Sequence, residues 1–355
     1  MNESGNLVAE AAVRIFQNFK GQSGKGERTS AHSYPLWAAL EEAGLPLAWV
    51  PEELGGSNVG LYEGFQVARV AGRHAIEVPL VDTMLAAWML SAAQIKPPEG
   101  AIAMAPPSSG RLVLDSRGRL HGNLARVPHA SDVAHLACLA ESPAGAVIAL
   151  IRCDNCRIEK EPNISPDPRC RVDIDNVEPV VHAPVPRDFD AESVSIMGMT
   201  ARSLQIAGAL EAALELAVTY ASQREAFGRT ISKFQAVQHN LARLASETAA
   251  AVTVSCSAAD SIAESGAPSK LDEGALLEVL SSKIRTAEAA ETGMAIAHQI
   301  FGAIGFTTEH PLHKFTLRAL SWRDDFGNDS EAAVVLGRRI AQLGPDELWP
   351  LLASR

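Results

Sequence analysis

An arginine and a glutamine stand at the two ends of a short segment that joins two helical patterns. Arg224 follows a run whose apolar residues recur at spacings of three and four, as one buried helix face requires. A second such pattern starts near Phe234, one residue before Gln235. We expect the first helix to end near Phe227 and Gly228, because glycine readily adopts the left-handed conformation that closes a helix. The turn would bring Arg224 and Gln235 together, and a guanidinium fork beside an amide suits a phosphate-bearing ligand.

A second motif favours a ligand site over a simpler explanation. Arg224 alone would be explained by a salt bridge at a helix end, with Gln235 capping the next helix. The second motif runs Gln-Ile-Phe-Gly-Ala-Ile-Gly-Phe from Gln299 to Phe306 and follows another helical pattern. His298 precedes it, and we interpret this histidine as a packing residue rather than a ligand or a base.

The two motifs resemble the C-terminal helical domain of the acyl-CoA dehydrogenase family. In that family an Arg-x-x-Phe-Gly turn and a following Phe-Gln pair hold the ADP half of FAD. A Gln-x-x-Gly-Gly-x-Gly-Phe stretch reaches the flavin pyrophosphate, and both motifs serve the flavin of the neighbouring subunit. The resemblance implies FAD as cofactor, an acyl-CoA substrate oxidised between its α and β carbons, and an electron-transfer flavoprotein as electron acceptor. The implied cofactor-binding residues are Arg224, Phe227, Gln235, Gln299, Gly302 and Ala303.

Chain length and local patterns predict three domains. A chain of 355 residues exceeds what one core usually supports. Helical patterns fill residues 1–99, short β-prone runs between glycines and prolines fill 100–187, and helical patterns return over 188–355. The resemblance implies the same order: an N-terminal all-α domain, a middle β-barrel or sandwich domain and a C-terminal four-helix bundle. The predicted strands lie at residues 111–114, 134–139, 146–151 and 171–174, and a loop is predicted at 21–30.

Composition narrows the class of partner. A formal net charge of −11 argues against nucleic acid, which needs a clustered basic surface. No run of about 18 apolar residues indicates a membrane span. The first residues lack the basic start and apolar run of a signal peptide, so a cytoplasmic location is expected. Cys153 and Cys156 have redox or metal-ligand spacing, but no second close pair or matching histidines accompany them. We therefore predict reduced thiols and no metal site.

The catalytic base that the resemblance implies is missing from its place. The reaction needs a carboxylate that removes the proton α to the thioester. Alignment on the flanking proline and glycine puts Phe326 where most family members have glutamate. Asp325 is adjacent, but a shift of one residue turns a side chain away, so we favour a solvent-facing acidic turn. The family's other base position precedes the first motif, where no Asp or Glu occurs between Glu192 and Glu211.

Two further departures concern the flavin. The family segments that surround the flavin ring are replaced here by residues 103–110 and 122–128, and no tryptophan occurs between Trp88 and Trp322. Ala303 stands where the family commonly has glycine, which is tolerable if the backbone there stays helical or extended.

These departures lead to one hypothesis and three alternatives. The chain resembles the incomplete subunit of heteromeric bacterial acyl-CoA dehydrogenases that act in steroid and sterol side-chain breakdown, within a homo- or hetero-tetramer. The first alternative is a self-sufficient homotetramer that uses Asp325 or an unrecognised base. The second is a non-catalytic structural subunit. The third is a flavin monooxygenase or oxidase on the same fold, which would consume oxygen and need no electron-transfer flavoprotein.

Overall fold

The computed structural model describes residues 3–19 and 34–353, so the loop predicted at 21–30 lies outside the described residues. The helices are α1 (Glu3–Asn18), α2 (Tyr34–Glu42), α3 (Leu61–His74), α4 (Leu80–Ala92), α5 (Ala191–Gln223), α6 (Gln235–Ser265), α7 (Glu273–Phe301), α8 (Leu312–Trp322), α9 (Asp329–Leu343) and α10 (Pro345–Ala353). The strands are β1 (Ile102–Met104), β2 (Leu112–Leu114), β3 (Leu120–Pro128), β4 (His135–Ser142), β5 (Gly145–Arg152), β6 (Arg157–Glu161), β7 (Arg169–Val177), β8 (Val181–Pro184), β9 (Glu225–Ala226) and β10 (Arg229–Thr230).

The chain divides into two compact units. The first comprises Met1–Val67, Ile76–Gly198 and the short segment Gly266–Lys270. The second comprises Ala68–Ala75, Met199–Ser265 and Leu271–Arg355. The unit boundaries fall inside α3 and α5, so each of these helices contributes to both units. The three-domain division at residues 99 and 187 stays a prediction.

The first unit contains an eight-stranded mixed sheet. Its order is β6-β7-β3-β2-β4-β5-β8, and β1 pairs with β4. All four predicted strands are present, as β2, β4, β5 and β7. Along β7 the exposed Arg171 alternates with the buried Val172 and Ile174, as a strand with one wet face requires. Helix α4 packs beside β1 and fixes it through Thr83, whose hydroxyl accepts from the Ile102 N–H at 3.1 Å.

The second unit is a bundle built around α5, α6 and α7. Its core contains many alanines, with Leu210, Leu244 and Met294 between them. Gly293 of α7 faces Leu210 and Leu244, and a Cβ there would lie 2.7 Å from Leu210 Cδ2. Small residues therefore set the close spacing of these helices. Helices α8 and α9 pack against α7, and α10, which the sequence patterns missed, packs on α9.

Among the described residues, one helix is long and apolar enough to cross a membrane by length and composition alone. It is α5, and 61% of its apolar window is buried inside the protein. The apolar composition of α5 is therefore accounted for by its place in the core of the bundle.

Candidate functional site

Arg224 lies at the base of a tight hairpin directly after α5. Helix α5 ends at Gln223, and the Arg224 N–H donates to the Tyr220 carbonyl at 2.8 Å. Strands β9 and β10 then pair, with Phe227 and Gly228 between them at φ 52° and 77°. Positive φ at both central positions is the geometry of a type I′ turn.

The prediction that the helix reaches Phe227 and Gly228 was therefore wrong. The Arg224 carbonyl accepts from the Ile231 N–H at 2.8 Å, so the hairpin uses a backbone group that a further helical turn would need. Gly228 does adopt the expected left-handed conformation, but it closes a hairpin instead of a helix. Phe227 is an unusual residue at positive φ, and its side chain is 95% exposed.

Gln235 is the first residue of α6. A short 3-10 turn over Ile231–Lys233 leads into the helix, so the hairpin and the helix start are close in sequence and joined by hydrogen bonds. The first N–H groups of a helix lack intrahelical partners and, with the helix dipole, attract anions. Gln235 and Arg224 are both exposed beside this positive helix end.

Arg224 has no ion pair or side-chain hydrogen bond among the residues that the structure describes. A salt bridge at the helix end therefore does not explain it. The nearby Arg229 is engaged, because its guanidinium lies over the Phe234 ring at 4.2 Å from the centroid. The exposed guanidinium of Arg224 is thus available to an oxygen-rich ligand.

The second motif forms the end of α7 and the turn after it. Gln299 is exposed on the last turn, and Gly302 begins a 3-10 turn over Gly302–Phe306. Gly302 has φ 62° and ψ −145°, a backbone conformation essentially confined to glycine. A Cβ at Gly305 would lie 2.9 Å from Phe301 Cβ, so this position also needs glycine. Ala303 is exposed and does not have a positive φ, which explains why alanine is tolerated there.

The two motifs meet at one end of the second unit. The Tyr220 ring, on the last turn of α5, stacks on Phe301 with 4.4 Å between centroids. Ser203 and Thr286 make a hydrogen bond of 3.1 Å further back along the same two helices, so α5 and α7 run in parallel. The six predicted cofactor-binding residues are therefore exposed on two neighbouring segments: Arg224, Phe227, Gln235, Gln299, Gly302 and Ala303.

His298 supports the second turn from within. Its Nε2 lies 2.9 Å from Thr316 Oγ1, and its ring stacks on Phe306 at 4.3 Å. Burial lowers the pKa of His298 below its ordinary value, and the neighbouring His313 adds to the shift. The histidine is therefore neutral at pH 7 and packs in the bundle, as interpreted from the sequence.

Asp325 is buried, and the expectation of a solvent-facing turn was wrong for this residue. Its side chain is 3% exposed, and its Oδ2 accepts from Arg202 Nε at 2.9 Å. Arg202 also donates to Gln205 Oε1 at 2.6 Å, and Lys283 Nζ donates to the Asp325 backbone carbonyl at 2.8 Å. The carboxylate is held by a guanidinium, so it is not offered as a proton acceptor to a substrate.

Phe326 follows with φ 59° and is itself buried, with the Arg202 guanidinium 5.9 Å from its ring centroid. Burial lowers the pKa of Lys283 to about 8, while the charge of Asp325 opposes that shift. One buried cluster therefore occupies the position where the resemblance implies a catalytic glutamate: Arg202, Lys283, Asp325 and Phe326. We call these four residues the Arg202 cluster.

Arg202 and Lys283 were not predicted as site residues, although the sequence carries one signal for Arg202. Arg202 is the only charged residue between Glu192 and Glu211, in a helical pattern whose other residues are uncharged and mostly apolar or small. An isolated charge in a buried helix requires a partner of opposite sign. That partner, Asp325, lies 123 residues further along the chain.

The cysteines of the sheet are free thiols. Cys153 and Cys156 flank a short turn after β5. Burial raises the pKa of Cys153 to about 12 and that of Cys156 to about 11. Thiols of this kind are poor nucleophiles at neutral pH.

Comparison with known proteins agrees with this architecture. Residues 197–339 match the family model for the acyl-CoA dehydrogenase C-terminal domain. Acyl-CoA dehydrogenase IpdE2 of Mycobacterium tuberculosis is 29% identical over 289 residues, which cover 80% of each chain.

Solved structures match along almost the whole chain. The ChsE4–ChsE5 complex from Mycobacterium tuberculosis superposes with a TM-score of 0.83 at 20% identity, covering 96% of this chain and 98% of that one. The Tcur3481–Tcur3483 steroid ACAD gives a TM-score of 0.78 at 24% identity, with the same coverage. At these identities the likeness concerns the fold, and it confirms the predicted order of helical, β and helical regions. Residues 197–339 of this chain are therefore similar to the acyl-CoA dehydrogenase C-terminal domain, and the whole chain has the fold of the solved acyl-CoA dehydrogenase structures.

Proposed function

We propose that this chain is a subunit of an FAD-dependent acyl-CoA dehydrogenase that lacks a catalytic base of its own. The reaction is α,β-dehydrogenation of an acyl-CoA thioester. The two exposed motifs of this chain would contact the ADP half of FAD in a partner chain, and that partner would carry the base. The observation that carries the proposal is the contrast between these exposed motifs and the buried Arg202 cluster.

The residues of the exposed end suit the diphosphate of FAD. Arg224 offers a guanidinium fork, Gln235 an amide, and α6 the positive end of its helix dipole. Gly302 lets the backbone come close to a phosphate oxygen, because no Cβ projects there. FAD would supply the acceptor for the hydride that leaves the substrate β carbon. This chain's residues would bind and orient the far end of that cofactor.

The proton at the substrate α carbon has no acceptor in the Arg202 cluster. Phe326 cannot take a proton, and Asp325 is already paired with Arg202 at 2.9 Å. The Arg202 guanidinium therefore occupies the carboxylate oxygen that a base would need to offer to the substrate. A carboxylate on a partner chain is therefore the base that the proposal requires.

The partners follow from this division. The structural relatives include a complex of two different chains, ChsE4–ChsE5. The proposal adds an acyl-CoA with a bulky or polycyclic acyl group, an electron-transfer flavoprotein, and a tetramer with a second acyl-CoA dehydrogenase chain, in the cytoplasm.

The test compares this chain alone with the same chain co-expressed with a base-bearing acyl-CoA dehydrogenase partner. We expect little bound flavin and no dehydrogenase activity from the chain alone, and both from the pair. Arg224→Ala and Gln235→Ala should then lower the FAD content of the pair. Arg243→Ala, an exposed arginine further along α6, is the matched control and should leave FAD content unchanged.

Three results would overturn the proposal. A yellow, active protein from this chain alone would mean that it has its own complete site. Normal FAD affinity in the Arg224→Ala pair would mean that the exposed motifs do not serve the cofactor. Oxygen consumption without an electron-transfer flavoprotein would instead support the oxidase or monooxygenase alternative.

A further inference from the structure

His298 contacts the turn of the second motif through both its backbone and its ring. Its carbonyl accepts from the N–H of Gly302, which begins the 3-10 turn over Gly302–Phe306. Its imidazole stacks on Phe306 with 4.3 Å between ring centroids, at the other end of the same turn. We call Gly302–Phe306 the Gly302 turn. This turn is therefore attached to one residue at both of its ends.

The two ring nitrogens of His298 have different surroundings. Nε2 lies 2.9 Å from Thr316 Oγ1, and the Thr316 hydroxyl donates to the His313 carbonyl at 3.5 Å. The Thr316 oxygen is then left to accept, so Nε2 of His298 carries the ring proton. Nδ1 is buried and has no hydrogen-bond partner among the described residues. It faces the backbone of Gly305, because a Cβ at that glycine would lie 3.2 Å from Nδ1.

A proton on Nδ1 would create a buried donor that points at the Cα atom of a glycine. A buried donor without an acceptor destabilises a structure, and a buried charge destabilises it more. The Phe306 ring offsets only part of this cost, because the face of an exposed phenylalanine attracts a cation weakly. The neutral ring of His298 therefore fits beneath Gly305, and the protonated ring does not.

The charged neighbours of His298 also favour its neutral form. Burial lowers the pKa of His298, and His313 of α8 lowers it further. Burial and the same His313 lower the pKa of His310, which lies between the Gly302 turn and α8. In the part of the chain that the structure describes, no carboxylate raises the pKa of His298. The other charged side chains on the neighbouring segments, none of which shifts that pKa, are Arg224, Arg243, Glu247, Glu291, Glu309 and Lys314.

We infer that His298 is a positioning residue for the Gly302 turn, and that mild acid weakens FAD binding by protonating His298 and loosening this turn. The identity of the cofactor rests on the proposed function, whereas the loosening of the turn does not. Because the pKa of His298 in the folded chain is below the ordinary value of 6.5, the turn is fully supported above that pH. Its support is lost as the pH falls through the lowered pKa.

The first test measures the FAD dissociation constant of the co-expressed pair, stripped of flavin and titrated with FAD. Between about pH 7.5 and about pH 5.5, this constant should rise at least about threefold more in wild type than in His298→Gln. Glutamine keeps an N–H for Thr316 and does not take up a proton, so His298→Gln should match wild type at the higher pH. His298→Ala loses the stack on Phe306 and should bind FAD weakly at both pH values. His182→Gln is the control, because His182 is exposed in the sheet unit, and it should keep the wild-type pH dependence.

The second test follows amide hydrogen exchange in the Gly302 turn of the full chain without FAD. After correction for the intrinsic effect of pH on exchange, wild type should exchange faster at the lower pH, and His298→Gln should not. Equal protection at both pH values would overturn the inference. A pH dependence that persists in His298→Gln would also overturn it, because another group such as His313 would then be responsible. Faster exchange without any change in FAD affinity would confirm the loosening of the turn but overturn its role at the cofactor, and with it the proposed function.

Discussion

Replacing Asp325 by alanine tests whether this carboxylate stabilises the fold or acts as the catalytic base. The substitution removes the carboxylate that accepts from Arg202 Nε, while Arg202 stays buried at 1% exposed with Gln205 Oε1 at 2.6 Å. Breaking a buried ion pair by removing one partner costs about 3–5 kcal/mol, because the other charge stays buried. At about 2–4 °C per kcal/mol for a unit of this size, the melting temperature should fall by about 6–20 °C.

The assay is thermal unfolding of the assembled protein, with dehydrogenase activity measured below the transition. Glu288→Ala is the matched control, because Glu288 is 58% exposed and only 3.8 Å from Arg285. An exposed pair of this kind contributes about 0–1 kcal/mol, so the control should melt like wild type. We expect Asp325→Ala to lower the melting temperature and to keep its activity while folded. A variant that melts like wild type but has lost all turnover would refute the reasoning and make Asp325 the base.

Two further predictions concern the second unit. The pKa of Lys283 is lowered from 10.5 to about 8, so between these pH values the unfolded chain binds the extra proton and folding becomes more favourable as pH rises. The free energy of unfolding of the wild type, measured in urea, should rise relative to that of Lys283→Met by about 3 kcal/mol between pH 8 and 10.5. A difference between the two proteins that does not change with pH would contradict this. At the crossing of α3 and α5, a Cβ at Gly208 would lie 2.0 Å from the Arg69 carbonyl. Gly208→Ala should therefore lower the free energy of unfolding by about 1–3 kcal/mol or more. Gly337 lies in open space on α9, so Gly337→Ala should be neutral or slightly stabilising. Equal melting temperatures for the two variants would show that the helix crossing adapts to the added methyl group.

Long helices were predictable from the sequence because their buried faces repeat over many residues. Helix α7 follows such a pattern from Leu276 onward, and the interruption after α6 was visible at residues 266–270, which contain a glycine and a proline. The short strands were harder to predict. Strand β3 was missed because its pairing with β7 shifts register twice, and Arg126 within it has φ 58°. Strand β6 lies at a sheet edge and reads Arg-Ile-Glu-Lys-Glu, so it carries almost no apolar alternation.

The candidate site was likewise predictable where its features are local in sequence, and unpredictable where they depend on distant residues. The exposed motifs were readable because glycine, arginine and aromatic residues at fixed spacing are local features. The hairpin at Phe227 was misread because a single Gly can close either a helix or a type I′ turn, and the pairing partner decides between them. The burial of Asp325 was unpredictable from its neighbours, since its partner Arg202 is distant in sequence.

Helix α5 contains Arg202 of the buried cluster and leads directly into Arg224 of the exposed motifs. Arg202 and Arg224 are 22 positions apart, which at 1.5 Å per residue is about 33 Å along the helix. Under the proposed function, a chain can never complete its own catalytic centre by moving a loop across that distance. The number of working centres is then limited by the scarcer of the two chains. Surplus copies of this subunit would have no partner FAD for Phe227 to contact, so this side chain would stay exposed to chaperones and proteases. Selection would therefore favour balanced expression of the two chains.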